Sequence, residues 1–390
     1  MTATNRITTP LTADLLRGAQ DLERTAHGLL PHRLPAWARA QCADPQLATA
    51  ESKPSGVRLA FRTEATTIEL DVFRTKMDIR GLPPRPDGCF DLVIDDRLVA
   101  QARTSGGDVH LADPATGAVE TRSGPACTLC FTDLPPGAKN VEIWLPHNER
   151  VELAALRTDA PVSPSPGSGK RVWLHHGSSI SQGSNAESVT GIWPMVAARL
   201  AGTELINLGL GGSALLDPFT ARTLRDTPAD VISLKLGINL TNADLMRLRA
   251  FGPAVHGFLD TIREGHPSTP ILLVSPLFCP IQEDTPGPVA FDVDALRDGE
   301  LRFVATGDPA ERAAGKLTLK VIREELARIV RERADPRLSY LDGLELYGEA
   351  DFDELPLPDR LHPDGAAHLR IGERFAKLAF GPGGPLAVRG

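Results

Sequence analysis

Four short stretches of this chain carry residue types suited to one piece of chemistry. The first is His175-His176-Gly177-Ser178-Ser179-Ile180-Ser181-Gln182-Gly183, where Ser179 follows an apolar run and lies between glycines. The second is Asn207-Leu208-Gly209-Leu210-Gly211-Gly212-Ser213, and the third is Leu236-Gly237-Ile238-Asn239. The fourth, Asp359-Arg360-Leu361-His362-Pro363, comes near the end of the chain. A serine hydroxyl is a weak nucleophile until a base takes its proton, and His362 is the candidate base. Asp359, three residues earlier, is the candidate to fix the imidazole tautomer and stabilise an imidazolium. The N–H groups of Ser179 and Gly212 and the side-chain amide of Asn239 are candidate donors to a developing oxyanion. The chemistry these residues would support together is acyl transfer.

The elements that must position them follow from the hydrophobic pattern. After residue 170, strands are predicted at 171–175, 204–208, 231–236, 270–275 and 338–341. Helices are predicted at 191–201, 218–226, 243–265, 314–334 and 365–380. This alternation predicts an α/β fold, a parallel sheet with helices on both faces. All four stretches then fall in loops at the carboxyl edge, where open α/β sheets bind their ligands. Residues 280–312 form an irregular excursion after a strand end, either a cover over that crevice or a solvated insertion. Earlier in the chain, 57–157 reads as short alternating strands such as Thr67-Ile68-Glu69-Leu70-Asp71-Val72-Phe73, the texture of an antiparallel β-sandwich. The stretch 11–30, with Leu15, Leu16, Leu22 and Leu29, reads as an amphipathic helix. A proline- and serine-rich run then marks a linker. The expected organisation is a helical segment and β-sandwich over 1–160, a linker over 161–170 and a catalytic domain over 171–390.

In their order and spacing the four stretches resemble the motif blocks of the SGNH hydrolase superfamily, the GDSL lipase/acylhydrolases. The likeness covers essentially all of 171–380. It implies a three-layer, flavodoxin-like domain in which Ser179 is the nucleophile, His362 the base and Asp359 its orienter. Gly212 and Asn239 would complete the oxyanion hole with the Ser179 N–H, and neither a cofactor nor a metal would be required. Two positions depart from the pattern: Ser178 stands where the first block usually has aspartate, and Leu240 where the third often does. The Gly-Ser-Ser-Ile reading of 177–180 is similar to a branch of two-domain bacterial esterases with an N-terminal, jelly-roll-like β-domain. Related two-domain proteins include carbohydrate acetylesterases, so the expected substrate is a small-molecule or carbohydrate ester. The acidic, proline-broken text of 280–312 is a poor cover for a fatty chain, which favours short acyl groups, acetyl to butyryl. An acyltransferase using the same residues is the alternative.

Composition narrows the classes. The apolar fraction of 42% and charged fraction of 24% are those of a globular protein. A formal net charge of −8 argues against nucleic-acid or anionic-membrane partners. No apolar run is long enough to span a bilayer, and the first residues lack the apolar core of a secretion signal, so the cytoplasm is the expected compartment. Five cysteines suit a reducing compartment. Cys127 and Cys130 form a C-x-x-C without a second ligand pair, in text that reads as a strand, and are taken as structural.

Other residues compete for roles. His175, His176 and His368 are alternative histidines; Ser181, Ser184 and Ser188 read as loop hydroxyls. Glu187 and Trp193 are candidate pocket residues, with helix-start and core roles favoured. Gly209-x-Gly211-x-x-Ala214 after a strand fits a dinucleotide fingerprint, which would make an oxidoreductase. That fingerprint wants an acid ending the next strand, whereas Asp226 and Asp230 precede it. A non-catalytic carbohydrate-binding protein on a hydrolase scaffold is a third reading, disfavoured by the complete serine, aspartate and histidine set.

Overall fold

The computed structural model describes residues 6–388. The chain divides into two compact units, and neither is one continuous segment. The first takes residues up to Pro35, then Glu51–Gly169 and Glu187–Thr190; the second takes Ala36–Ala50, Lys170–Ala186 and the chain from Gly191 onward. This differs from the boundaries read in sequence. Residues 36–50 pack with the second unit, and 187–190 with the first.

The first unit is built of two sheets. One is ordered around Ile68–Ile79 and Arg150–Thr158, and the other around Arg58–Thr63, Lys139–Trp144 and Cys89–Ile94. Most pairs are antiparallel, but Ile68–Ile79 pairs parallel with Asp108–Ala112. Ile68, Leu70, Val72, Leu153 and Leu156 from one sheet join Leu59, Phe61, Phe90, Leu92, Val141 and Ile143 from the other in one buried cluster. Strand alternation supplies these inward residues.

The helix expected over 11–30 is absent. The stretch folds as a 3-10 turn at Ala13–Leu15 and strands Leu16–Arg17, Asp21–Arg24 and Leu29–His32. Sheet pairing overrides the helical spacing of the leucines. Gly28 shows why: at φ +145°, a β-carbon there would lie 2.2 Å from the Leu153 carbonyl oxygen, so the backbone is pressed against its partner strand. Within the expected linker, Val162–Pro164 also adds a strand to Arg58–Thr63.

The second unit begins with α1 (Ala36–Arg39) and α2 (Pro45–Glu51, whose last residue belongs to the first unit). Its sheet has five parallel strands: β1 (Val172–Gly177), β2 (Glu204–Gly209), β3 (Val231–Lys235), β4 (Ile271–Val274) and β5 (Leu338–Leu341). The spatial order is β2-β1-β3-β4-β5. The main helices are α3 (Ser179–Gln182), α4 (Trp193–Ala201), α5 (Pro218–Asp226), α6 (Ile238–Asn242), α7 (Leu248–Gly265), α8 (Leu319–Arg333) and α9 (Gly365–Phe375). One sheet face packs Leu174, Ile232, Leu234, Ile271 and Leu273 against apolar residues of α5, α7 and α8. The other face carries an aromatic group in which Trp173 stacks on Phe375 at 5.1 Å and meets Trp193 at 6.2 Å. The strand order reverses direction between β1 and β3, and that switch point opens the crevice. No helix among the described residues is long and apolar enough to cross a membrane.

A buried ion pair holds the chain after β4. Arg323 of α8 donates to both carboxylate oxygens of Glu283, at 2.6 and 2.7 Å, and to the carbonyls of Pro276 and Leu277. Glu283 in turn accepts from the Cys279 N–H at 3.0 Å. Glu283→Gln strands a guanidinium without its counter-charge and should cost about 3 kcal/mol. Chemical denaturation followed by tryptophan fluorescence measures this; a loss below about 1 kcal/mol would show that the pair is not holding the segment.

Candidate active site

The crevice at the switch point brings the four stretches together. β1 ends at Gly177, and α3 starts at Ser179, so the Ser179 N–H lies in a first helical turn and lacks an intrahelical acceptor. Ser178, at the expected aspartate position, is buried and its hydroxyl finds no partner among the described residues. Its carbonyl supports the turn instead, accepting from the N–H groups of Ser181 and Gln182 at 3.0 Å each.

Ser179 Oγ lies 2.9 Å from His362 Nε2, and His362 Nδ1 lies 2.8 Å from Asp359 Oδ2. A carboxylate only accepts, so Nδ1 carries the proton and Nε2 is free to accept from the serine hydroxyl. Asp359 also accepts from the backbone N–H groups of Leu361 and His362. Burial raises its carboxyl pKa, but the hydrogen bond from His362, the imidazole charge and those two N–H groups outweigh it. The net shift is below the ordinary carboxylate value.

On the opposite wall, Asn239 is the second residue of α6 and fully buried. Its Oδ1 accepts from the Ala214 N–H at 3.1 Å, which fixes the amide and leaves Nδ2 without an acceptor among the described residues. Gly212 lies two residues before Ala214, on the same loop. Leu240, the second departure from the family pattern, is a core residue. This arrangement can activate a hydroxyl, carry its proton and offer N–H groups to an oxyanion.

The competing histidines are occupied. His175 is bridged between the hydroxyls of Ser233 at 2.7 Å and Ser181 at 2.8 Å. Burial, helped by His176 and Lys235, holds its pKa well below normal. His176 donates from Nδ1 to the Leu208 carbonyl. His368 donates from Nε2 to the Ser184 carbonyl and accepts from the Trp193 N–H; burial pushes it down to about 4. Trp193 is fully buried in the aromatic group. Glu187 and Ser188 belong to the first unit, where the Glu187 carbonyl accepts from Arg103. In the glycine-rich loop the Gly209 and Gly211 N–H groups are not free for a pyrophosphate, because Gly209 donates to Asn207 and Gly211 to Gln182. Asp226 pairs with Arg225, and Asp230 accepts from Val172. Cys127 and Cys130 lie on the strand Cys127–Phe131, without a disulfide.

Three site residues have no role in the sequence reading. Asn185, at φ +66°, donates to Asp359 Oδ2 at 3.2 Å; its place six residues past the serine is the only signal. Phe303 sets its ring edge-on to His362, centroids 5.7 Å apart, and its N–H donates to the Asp359 carbonyl. It lies on the hairpin of Val289–Phe291 and Phe303–Ala305, where Phe291 stacks on it at 5.4 Å. The excursion therefore folds against the site rather than standing in solvent. Gln46, from α2, donates to the Gly211 carbonyl at 2.8 Å.

At the crevice between β1 and β3 a serine, an imidazole and a carboxylate stand in line, an arrangement chemically able to cleave an ester. Residues 170–279 match the GDSL-like Lipase/Acylhydrolase family. No curated protein matches the chain in sequence. Among solved structures it is similar to a salicylyl-acyltransferase, SsfX3, from a tetracycline biosynthetic pathway: 26% identity, 96% of each chain covered, TM-score 0.76. A protein from Bacteroides ovatus described as a GDSL-like lipase shares 19% identity over 95% of this chain and 96% of its own, TM-score 0.65. A family two carbohydrate esterase from Cellvibrio japonicus shares 13% over 95% and 96%, TM-score 0.57.

The depressed pKa of Asp359 makes a stability prediction. Its contribution is present above the ordinary value of 3.8 and is lost as pH falls through the lower folded value. The thermal midpoint of wild type should therefore exceed that of Asp359→Asn near neutrality, with the gap closing on acidification below about pH 4. A gap that stays constant or widens in acid contradicts the assignment of a paired carboxylate.

Proposed function

We propose that the protein is a serine esterase working through Ser179, His362 and Asp359, with an acyl-enzyme intermediate. The observation that carries this is the continuous line from Ser179 Oγ through His362 to Asp359. As Oγ attacks the ester carbonyl, its proton passes to His362 Nε2 while Asp359 stabilises the imidazolium. The carbonyl oxygen becomes the oxyanion, stabilised by the N–H groups of Ser179 and Gly212 and by Asn239 Nδ2. Collapse breaks the bond to the alcohol, which leaves with the proton from His362. Water then repeats the sequence with His362 as base, releasing the acid and restoring Ser179. The first unit is read as a jelly-roll-like sandwich, supported by the cluster its two sheets share, and catalysis is assigned to the second.

The substrate read from sequence is a short-chain ester, such as an O-acetyl group on a carbohydrate or another polar metabolite. The name of the Cellvibrio neighbour supports that reading. A second reading is acyl transfer to an alcohol other than water, with an aromatic acyl group. It is favoured by the Phe303–Phe291 pair beside His362 and by the likeness to a salicylyl-acyltransferase.

Ser179→Ala should abolish ester hydrolysis with the fold intact, and a serine-directed phosphonate should label Ser179; labelling elsewhere sinks the assignment. Asp359→Asn should retain more turnover than His362→Ala, because one orients the base and the other moves the proton. Across nitrophenyl esters, kcat/KM should fall from acetate to octanoate, against a rise of about 0.8 kcal/mol per buried methylene in an apolar groove. A benzoate ester that outpaces acetate would select the second reading.

A further inference from the structure

The Gly211–Gly212 peptide joins two glycines in succession, and its carbonyl accepts from Gln46. Gly212 adopts φ +72°, a conformation that glycine takes without strain. Two glycines in succession place little steric barrier on rotation of the amide plane between them. Such a rotation would turn the Gly212 N–H away from the crevice and the Gly211 carbonyl toward it, replacing a donor by an acceptor where negative charge develops.

Two glutamines oppose that rotation. Gln182 Oε1 accepts from the Gly211 N–H at 2.8 Å, fixing the preceding amide. Gln46 Nε2 donates to the Gly211 carbonyl at 2.8 Å. That carbonyl and the Gly212 N–H belong to one trans amide, in which C=O and N–H point in opposite directions. Holding the oxygen therefore aims the hydrogen. Gln46 also lies directly over Gly212: a β-carbon there would meet its Nε2 at 3.0 Å and Cγ at 3.1 Å. A donor on the carbonyl polarises the amide as well, strengthening its N–H as a donor.

Gln46 is itself held. α2 begins with Asp44 accepting from the Leu47 N–H at 2.7 Å, and Leu47 is buried. Upstream, Arg222 of α5 stacks over Trp37 at 5.5 Å and donates to Gln41. Segment 36–50 is thus docked on the second unit independently of the Gln46 contact.

We infer that Gln46 is a positioning residue for the oxyanion hole, orienting the Gly212 N–H through the Gly211 carbonyl. This rests on the esterase reading above, which assigns Gly212 that role. The test is steady-state hydrolysis of nitrophenyl acetate by Gln46→Met and Gln46→Glu, with Ser179→Ala alongside. Methionine keeps the length and packing but removes the donor. It should lower kcat about tenfold or more, while KM stays within about threefold and the thermal midpoint is unchanged. Glutamate, whose carboxylate repels the carbonyl, should lower kcat further. Wild-type kcat in Gln46→Met, or a rise in KM alone, overturns the inference while an inert Ser179→Ala leaves the esterase reading standing. Retained turnover in Ser179→Ala removes the parent reading itself.

Discussion

An imidazole accepts a proton from a hydroxyl at one nitrogen only if the other nitrogen is already committed as a donor. The 2.8 Å contact between His362 Nδ1 and Asp359 makes that commitment, and much of the local structure serves it. The Asp359 carbonyl is held by Phe303, its carboxylate by Asn185 and two backbone N–H groups, and the neighbouring Arg360 by Asp292 and the Cys279 thiol. A loop of a few residues is tied at its backbone and its side chains to segments from three parts of the chain. This limits how far thermal motion can open the contacts from Ser179 through His362 to Asp359.

Of the histidines near the crevice, His362 alone contacts the Ser179 hydroxyl among the described residues. His175 and His368 are fully buried and stay neutral, acting as rigid struts between strand, loop and helix. Lys235, buried near them, is pushed down to about 8 by burial and by the Arg323 charge. Its electrostatic influence on His175 runs the same way as burial, against a second imidazolium.

What could be read from sequence was the part governed by local pattern. The parallel strands and their helices announce themselves by alternation, and the four loops follow because strand ends fix where loops emerge. The structure brings Ser179, His362 and Asp359 within hydrogen-bond distance of one another in series. The errors have a common cause. The leucines of 11–30 keep helical spacing, yet a partner strand claims their backbone, which no local pattern reports. Gln46 lies in an unremarkable helix far upstream, and only tertiary packing connects it to Gly211. Phe303 sits in an acidic, proline-broken stretch whose local pattern gives no sign of its contact with His362.

The two units are interleaved along the chain. Segment 36–50 leaves the first unit to join the second, and 187–190 does the reverse within the loop after Ser179. A single cut in the stretch 161–170 therefore cannot release a complete second unit: the carboxyl-terminal fragment would lack α1 and α2, and would carry four residues whose partners had gone. Recombination at that boundary faces the same obstacle. An exchange that brings in a foreign amino-terminal half replaces part of the crevice wall along with it, so the two units are constrained to be inherited together.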